Sequence, residues 1–492
     1  MHSFAMDTDT ALLTVAQMGQ ADRLTVGNGI SAMTMMKNAG QAVTAEILLR
    51  WSPRNVLVLC GPGNNGGDGF VTANLLDLAG WPVRLAMLGT PDQLSGAAAY
   101  HASLWKGPIE HVNCAVLDGA ELVVDALFGA GLSRPLDAMV RSVLQAVADR
   151  KLIMIAIDVP SGLMGDTGEN SGAVAATLTV TYFRKKPGHL LQPGRTLCGE
   201  LVVAEIGTPP FVFDQIQPTY FENDPALWLA TLPQHQANGN KYDRGHALLV
   251  GGYPTTGAAR MAARAAARSG AGLTTIAVPE IALTIYAGAL LSIMVSPIRR
   301  RADLLALLED HRYTALLIGP GAGITSSTRA EVVALLMTGR PIVLDADALT
   351  VFRDNPDELF STIKGPCVMT PHEGEFVRVF PQVGDKLSMT LAAAKKSNSI
   401  IIHKGSDTVI AAPDGRAIVN SNAPPTLATA GSGDVLSGIV LGLLAQGMEA
   451  FAAASAAVWI HGEAARLFGP GLIAEDLPDM LPIIISQLQR PS

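Results

Sequence analysis

Residues 55–69 read Asn55-Val56-Leu57-Val58-Leu59-Cys60-Gly61-Pro62-Gly63-Asn64-Asn65-Gly66-Gly67-Asp68-Gly69. A β-prone apolar run breaks at glycine and passes into a polar-glycine cluster, the pattern of a parallel strand that opens into a ligand-bearing turn. Gly61-x-Gly63-x-x-Gly66 is a literal dinucleotide fingerprint, but with 49 Gly among 492 residues it is weak evidence alone. An ordinary dinucleotide site also needs an acid at the end of the second strand, about 20 residues on. The run expected to form that strand, Val83 to Leu88, leads into Gly89-Thr90-Pro91, and the acid is missing. Asn64, Asn65 and Asp68 instead crowd the turn with oxygen groups that suit a cation or a polar substrate. The plainer alternative is a turn that only packs helix on sheet.

Working outward, apolar runs recur between helix-like segments at 55–60, 83–88, 122–124, 152–157, 177–182 and 201–204. Their continuity predicts a parallel sheet covered on both faces, with ligands gathering where strands end, at Gly61, Asp125 and Asp158. Around Thr208 the pattern lapses into a Pro-rich stretch and the polar 235–240, read as a connecting region. Strand signals resume at 247–250, 273–278, 315–318, 341–344, 367–369 and 400–403. The expected organisation is therefore an α/β domain over 1–215, a connection over 216–240 and a second α/β domain over 241–492.

Composition agrees with two large cores: 49% hydrophobic, 5% aromatic and 16% charged residues suit small-residue helices packed on parallel sheets. A net charge of −8 without a basic run argues against nucleic acid. Cys60, Cys114, Cys198 and Cys367 show neither disulfide-framework nor zinc spacing, which points to a reducing cytoplasm. The Ala-rich stretch from Val435 to Ile460 is interrupted by Gln446 and Glu449, so buried helices are expected there and no membrane partner.

Two more strand ends carry carboxylates: Val124-Asp125-Ala126-Leu127-Phe128-Gly129-Ala130-Gly131-Leu132-Ser133-Arg134-Pro135 and Ile157-Asp158-Val159-Pro160-Ser161-Gly162. Each Asp alone is as consistent with capping a helix as with chemistry. With Asn65 and Ser161 they offer uncharged and singly charged oxygen ligands, a set better matched to a monovalent cation than to magnesium. Together the three motifs, in this order, resemble the NAD(P)H-hydrate epimerase family over roughly residues 10 to 215. The resemblance implies a Rossmann-like domain in which the dinucleotide is a damaged substrate and not a redox partner. It implies that Asn64, Asn65, Gly66, Gly67 and Asp68, with Gly129, Ala130, Gly131, Leu132, Ser133, Arg134 and Pro135, bind the hydrate. It also implies that Asn65, Asp125 and Ser161 hold K+, and that Asp158 is catalytic at the reacting ring. Lys185 and Lys186 read as a solvated loop pair that could reach phosphate.

The second half has no GxxxxGK[ST], so any phosphoryl transfer is not of the P-loop kind. Its loops are Gly251-Gly252, Gly257-Ala258-Ala259, Gly319-Pro320-Gly321-Ala322-Gly323, Leu344-Asp345-Ala346-Asp347, Thr370-Pro371-His372-Glu373-Gly374-Glu375, His403-Lys404-Gly405-Ser406-Asp407-Thr408 and Ala430-Gly431-Ser432-Gly433-Asp434. In the last, small residues open a helix whose free N–H groups make an anion hole, with Asp434 in its first turn as a candidate base. An Asp that only favours the helix dipole is the alternative. This set resembles ribokinase-like folds and, more specifically, the ADP- or ATP-dependent NAD(P)H-hydrate dehydratases. The resemblance implies hydrate contacts from Ala258, Gly321, Gly323, His372 and catalytic Asp434, and nucleotide contacts from Lys404, Gly405, Ser406, Asp407, Thr408 and Gly433. His372 could instead be a structural histidine at a helix start.

A chain with both halves is similar to the bacterial bifunctional NAD(P)H-hydrate repair enzymes. That implies epimerisation of R and S hydrates and ADP-dependent dehydration of the S form, with Mg2+ as well as K+, and a homo-oligomer is expected. Two other readings remain: a small-molecule kinase that leaves phosphate on its product, and an N-terminal half that only binds nucleotide.

Overall fold

The structure is a computed structural model that describes residues 7–234, 238–490. The chain divides into two compact units, one spanning Thr8–Tyr220 and the other taking in Phe221 onward.

In the first unit the strands are β1 (Val56–Cys60), β2 (Val83–Met87), β3 (Ile109–His111), β4 (Leu122–Ala126), β5 (Ile153–Ile157), β6 (Leu178–Tyr182) and β7 (Glu200–Ala204). They form one sheet in the order β3-β2-β1-β4-β5-β6-β7. Every adjacent pair is parallel. Helices cover both faces, so β1, β4 and β6 are buried along their whole length, and β1 is apolar without alternation. The chain starts at β1, runs outward to β3, then returns to the other side of β1 through β4. This reversal leaves a crevice at the C-terminal ends of β1 and β4. There Gly61 N–H donates to Ala126 O at 2.9 Å, and a Cβ on Gly61 would stand 1.7 Å from Leu127 O.

The second unit repeats the principle. Its strands are β8 (His246–Val250), β9 (Leu273–Pro279), β10 (Met294–Ile298), β11 (Ala315–Ile318), β12 (Ile342–Leu344), β13 (Cys367–Met369), β14 (Ile400–His403), β15 (Val409–Ala411) and β16 (Ala417–Val419). They lie in the order β16-β15-β14-β13-β12-β11-β8-β9-β10. Pairs from β14 to β10 across the sheet are parallel, while β14–β15 and β15–β16 are antiparallel. The direction of winding reverses between β8 and β11. At that point a Cβ on Gly252 would lie 1.7 Å from Gly321 O, so the two loops close on each other only because position 252 has no side chain.

The Ala-rich stretch forms two buried helices, Ser432–Ala445 and Ala450–Phe468. Small residues let the first lie against helix Gly257–Arg268, where a Cβ on Gly438 would meet Ala262 O at 2.2 Å. Among the described residues no helix is long and apolar enough to cross a membrane. The expected connection over 216–240 differs from what is observed. Asn223 N–H donates to Val419 O at 2.9 Å, and Trp228 is fully buried with its Nε1 donating to Asn223 Oδ1 at 3.1 Å. Trp228 packs edge-on to Trp459. Pro225 and Pro233 lie within a segment of the second unit. Residues 235–237 of the polar run lie outside the described residues.

Candidate active sites

In the first unit, helix Asn64–Leu78 begins inside the quoted motif, with Gly63 as its N-cap. The motif glycines serve close packing: a Cβ on Gly66 would stand 2.0 Å from Gly61 O. Asn64 is exposed, Asn65 half-buried, and Gly66, Gly67 and Asp68 are buried. Burial pushes the Asp68 carboxyl up, and the nearby Asp158 and Asp22 push the same way. The loop after β4 brings Gly129 to this turn, where a Cβ would lie 3.0 Å from Asp158 Oδ2 and 3.3 Å from Asn65 Oδ1. Ala130 N–H donates to Asp158 Oδ2 at 2.8 Å. Gly131, Ser133, Arg134 and Pro135 are exposed and Leu132 half-buried, forming the outer lip of the loop.

Asp158 follows β5 with a left-handed backbone, φ +67°, a conformation costly for a non-glycine residue and frequent at functional sites. Its Oδ1 accepts from Lys186 Nζ at 2.7 Å and from Thr181 Oγ1 at 3.0 Å. Lys186 Nζ also donates to Thr181 Oγ1 at 2.8 Å. Burial alone would raise the Asp158 carboxyl, but the Lys186 charge and hydrogen bond with the Ala130 amide outweigh it and hold the group down at about 2. The side chain of Lys186 is 3% exposed. This corrects the expectation of a solvated lysine pair: Lys186 turns inward because an ionised buried carboxylate needs a partner. Lys185 is half-buried.

Asp125 is fully buried and accepts from Ser161 Oγ at 2.6 Å and Leu127 N–H at 3.2 Å on Oδ1, and from Ser161 N–H at 2.8 Å on Oδ2. Burial raises its carboxyl, with the Ser161 and Leu127 bonds opposing. Asn65 Nδ2 is buried without a hydrogen-bond partner. A half-turn of that amide would present an oxygen in its place. One carboxylate, one hydroxyl and one amide fit a weakly charged cation better than a divalent ion.

In the second unit the predicted loops also lie at strand ends around the switch point. Helix Ser432–Ala445 has Gly431 as its N-cap at φ +89°, which frees the first-turn N–H groups, and Asp434 lies in that turn. Burial, then the carboxylate of Asp345, pushes Asp434 up to about 7, with Lys404 opposing. Lys404 Nζ lies 3.0 Å from Asp345 Oδ1 and 3.9 Å from Glu375 Oε2. It also lies 3.2 Å from where a Cβ on Gly433 would stand, so Lys404 and Gly433 meet at the anion hole. Gly405 and Ser406 are exposed, whereas Asp407 and Thr408 are buried beneath them, Thr408 Oγ1 donating to Gly405 O at 2.8 Å.

His372 is the exposed N-cap of helix Glu373–Val379, its N–H donating to Glu375 Oε2 at 2.9 Å. Its backbone bridges to Lys404. Gly323 N–H donates to Asp347 Oδ2 at 2.8 Å. Between Asp345 and Asp347, Ala346 has φ +47° and ψ −115°, a strained turn that aims both carboxylates into the site. Ala258 is half-buried in the first turn of helix Gly257–Arg268. Asp345, Asp347 and Glu375 had been placed in site loops by sequence but given no role. The signal for Asp345 is position, a polar residue directly after an apolar strand, while Asp347 and Glu375 lie further along their loops. Among the described residues no group of three or more His, Cys, Asp or Glu stands ready to hold a metal.

A family model described as YjeF-related protein N-terminus matches residues 32–188, and one described as NAD(P)H-hydrate dehydratase matches residues 247–485. A bifunctional NAD(P)H-hydrate repair enzyme of Salinibacter ruber is 37% identical over 97% of this chain and 96% of its own length. One from Moorella thermoacetica is 36% identical over 97% of each. Among solved structures, an ADP/ATP-dependent NAD(P)H-hydrate dehydratase of Bacillus subtilis, co-crystallised with ATP and Mg2+, is 32% identical. It covers 55% of this chain and 98% of its own, with a TM-score of 0.48.

Proposed function

The chain belongs to the bifunctional NAD(P)H-hydrate repair enzymes, and from that membership we propose a division of labour between two strand-end sites. The first unit interconverts R and S hydrates at Asp158, and the second dehydrates the S form at Asp434 with ADP. The observation that carries this reading is a carboxylate at each strand-end crevice beside a lysine. Asp158 Oδ1 lies 2.7 Å from Lys186 Nζ, and Asp434 lies in the first turn of helix Ser432–Ala445, where Lys404 Nζ stands 3.2 Å from where a Cβ on Gly433 would be. In keeping with this, Asp158 is held down at about 2 and Asp434 pushed up to about 7.

Epimerisation requires the hemiaminal carbon C6 to lose and regain its oxygen. As the C–O bond breaks, the ring nitrogen lone pair moves inward and the ring becomes cationic. A permanently ionised Asp158 stabilises that charge. Lys186 gives a proton to the departing hydroxyl, which leaves as water. Water then adds to either face of the ring, and Lys186 recovers the proton. The loops 64–68 and 129–135 hold the dinucleotide. Asn65, Asp125 and Ser161 would hold K+, which when bound supplies a fixed positive charge under the turn.

Dehydration needs a base that is half deprotonated near neutrality, and Asp434 has that character. It takes the C6 hydroxyl proton while that oxygen attacks the terminal phosphorus of ADP, the bond to the bridging oxygen breaks and AMP departs. The helix N-terminus and Lys404 receive the transferring charge. Phosphate then leaves as the ring nitrogen lone pair moves in, and the resulting cationic ring loses its C5 proton to the departing phosphate, which closes the C5–C6 double bond of NAD(P)H. Mg2+, which when bound neutralises phosphate charge, would be held mainly by the nucleotide, since among the described residues no group of three or more acidic side chains stands ready for it. Gly321, Gly323, Ala258 and His372 line the hydrate side, and residues 404–408 with Gly433 the nucleotide side. We also propose a homo-oligomer, to be tested by light scattering.

Product analysis tests the reading against the kinase alternative. With S hydrate and ADP, free phosphate and absorbing NAD(P)H should appear in equal amounts. A stable phosphomonoester would make the second unit a kinase.

A further inference from the structure

His189 is 1% exposed and belongs to none of the motifs discussed so far. Its Nδ1 accepts from Lys186 N–H at 2.9 Å, and its Nε2 lies 2.8 Å from Asp158 O. A carbonyl only accepts and an amide N–H only donates, so one neutral tautomer, protonated on Nε2, satisfies both contacts. The imidazole therefore ties the backbones of two residues 28 positions apart whose side chains meet at 2.7 Å.

The tie falls where the backbone needs support. Asp158 holds a left-handed conformation at φ +67°, its N–H donating to Val180 O at 2.8 Å and its carbonyl facing His189. Gly188, next to His189, has no room for a side chain: a Cβ there would lie 2.5 Å from Met164 O. The segment carrying Lys186 is thus pressed against the loop after β5, and His189 sets its register there.

We propose that His189 is a positioning residue for epimerisation, clamping the Asp158 carbonyl and the Lys186 amide so that the carboxylate and ammonium keep their alignment. It touches neither substrate nor reacting atoms. The proposal rests on the reading of Asp158 and Lys186 as the epimerisation pair. The charged groups that bear on His189 are Lys186 and Lys185 from its own segment and Asp158 from the strand end. Asp22 from helix Val15–Gly27 and Asp68 from helix Asn64–Leu78 couple in turn to Asp158.

Three variants of the full chain separate the two bonds. His189→Leu removes both. His189→Gln keeps a donor able to reach the Asp158 carbonyl. His189→Asn keeps an acceptor for the Lys186 amide. R-to-S equilibration is measured as kcat, KM and the pH dependence of kcat/KM, with dehydration of S hydrate as a check on folding and Asp158→Asn alongside. The expected result is a kcat about 10-fold lower for His189→Leu with KM changed less than about twofold, as for a small misplacement of reacting groups. The acidic limb of kcat/KM should move upward as Asp158 loses its aligned ammonium, and His189→Gln and His189→Asn should each recover part of the rate. Wild-type kcat and pH profile in His189→Leu, beside an inactive Asp158→Asn, would overturn the clamp alone. Full epimerase activity in Asp158→Asn would overturn the site reading and the clamp with it.

Discussion

Lys186 Nζ stands 2.7 Å from Asp158 Oδ1, joining the ends of two adjacent strands into one partly buried ion pair. Removing one partner of such a pair leaves the other charge uncompensated. Lys186→Met should therefore lower R-to-S equilibration at least about 100-fold, the usual loss for an acid–base group. Dehydration of purified S hydrate should continue. The check is a chiral separation of the two hydrates over time; equilibration at the wild-type rate would remove Lys186 from the chemistry.

Asp434 supplies a pH signature. Since the base works deprotonated and is pushed up to about 7, kcat/KM for dehydration should rise with pH through a midpoint near that value. Asp434→Asn keeps the shape but cannot accept the proton. Its turnover should fall at least about 100-fold while ADP still binds in a direct titration. Near-normal turnover would leave Asp434 as a helix-dipole residue.

The cation site gives a third expectation. Replacing K+ by choline should slow epimerisation without affecting dehydration, and Asp125→Asn should abolish the difference between the two salts. Equal rates of the parent protein in both salts would dismiss the site at Asn65, Asp125 and Ser161.

Much of this was legible in the sequence, for reasons that can be traced to particular strands. β1 and β11 are buried on both faces and read as unbroken apolar runs, and the motifs follow where they end. β3 reads Ile-Glu-His at a sheet edge, half exposed, and carries no such run. β10 contains Pro297 on the opposite edge of its sheet, a residue that sequence reasoning demotes. The loops that follow the strands could be placed from the sequence, whereas the burial of Lys186 and His189 beside Asp158 could not. They reach Asp158 by a return of the chain 28 and 31 residues further on, and a Lys-Lys-Pro-Gly-His string gives no local sign of burial.

Buried neutral histidines make stability depend on pH. Burial pushes His189 and His461 each down to about 4, Lys186 adding to the effect at His189. Both folded values lie below the unfolded value of about 6.5. Between about 6.5 and 4 the unfolded chain binds the extra protons, so stability falls as pH drops through that window and levels off below it. The denaturation midpoint should decrease from about pH 7 to about pH 4.5, less steeply in His189→Gln, which does not titrate. Identical slopes in parent and variant would show that His189 is not held neutral.

The two-site account is tested most directly by the fate of a mixture of R and S hydrates supplied with ADP, Mg2+ and K+. The parent protein should drain both forms to NAD(P)H. Asp158→Ala should stop at the amount of S present, leaving R behind, and adding Asp434→Asn protein in trans should restart conversion to completion. Full conversion by Asp158→Ala alone, or no consumption of S by that variant, would contradict the assignment of separate chemistry to the two units.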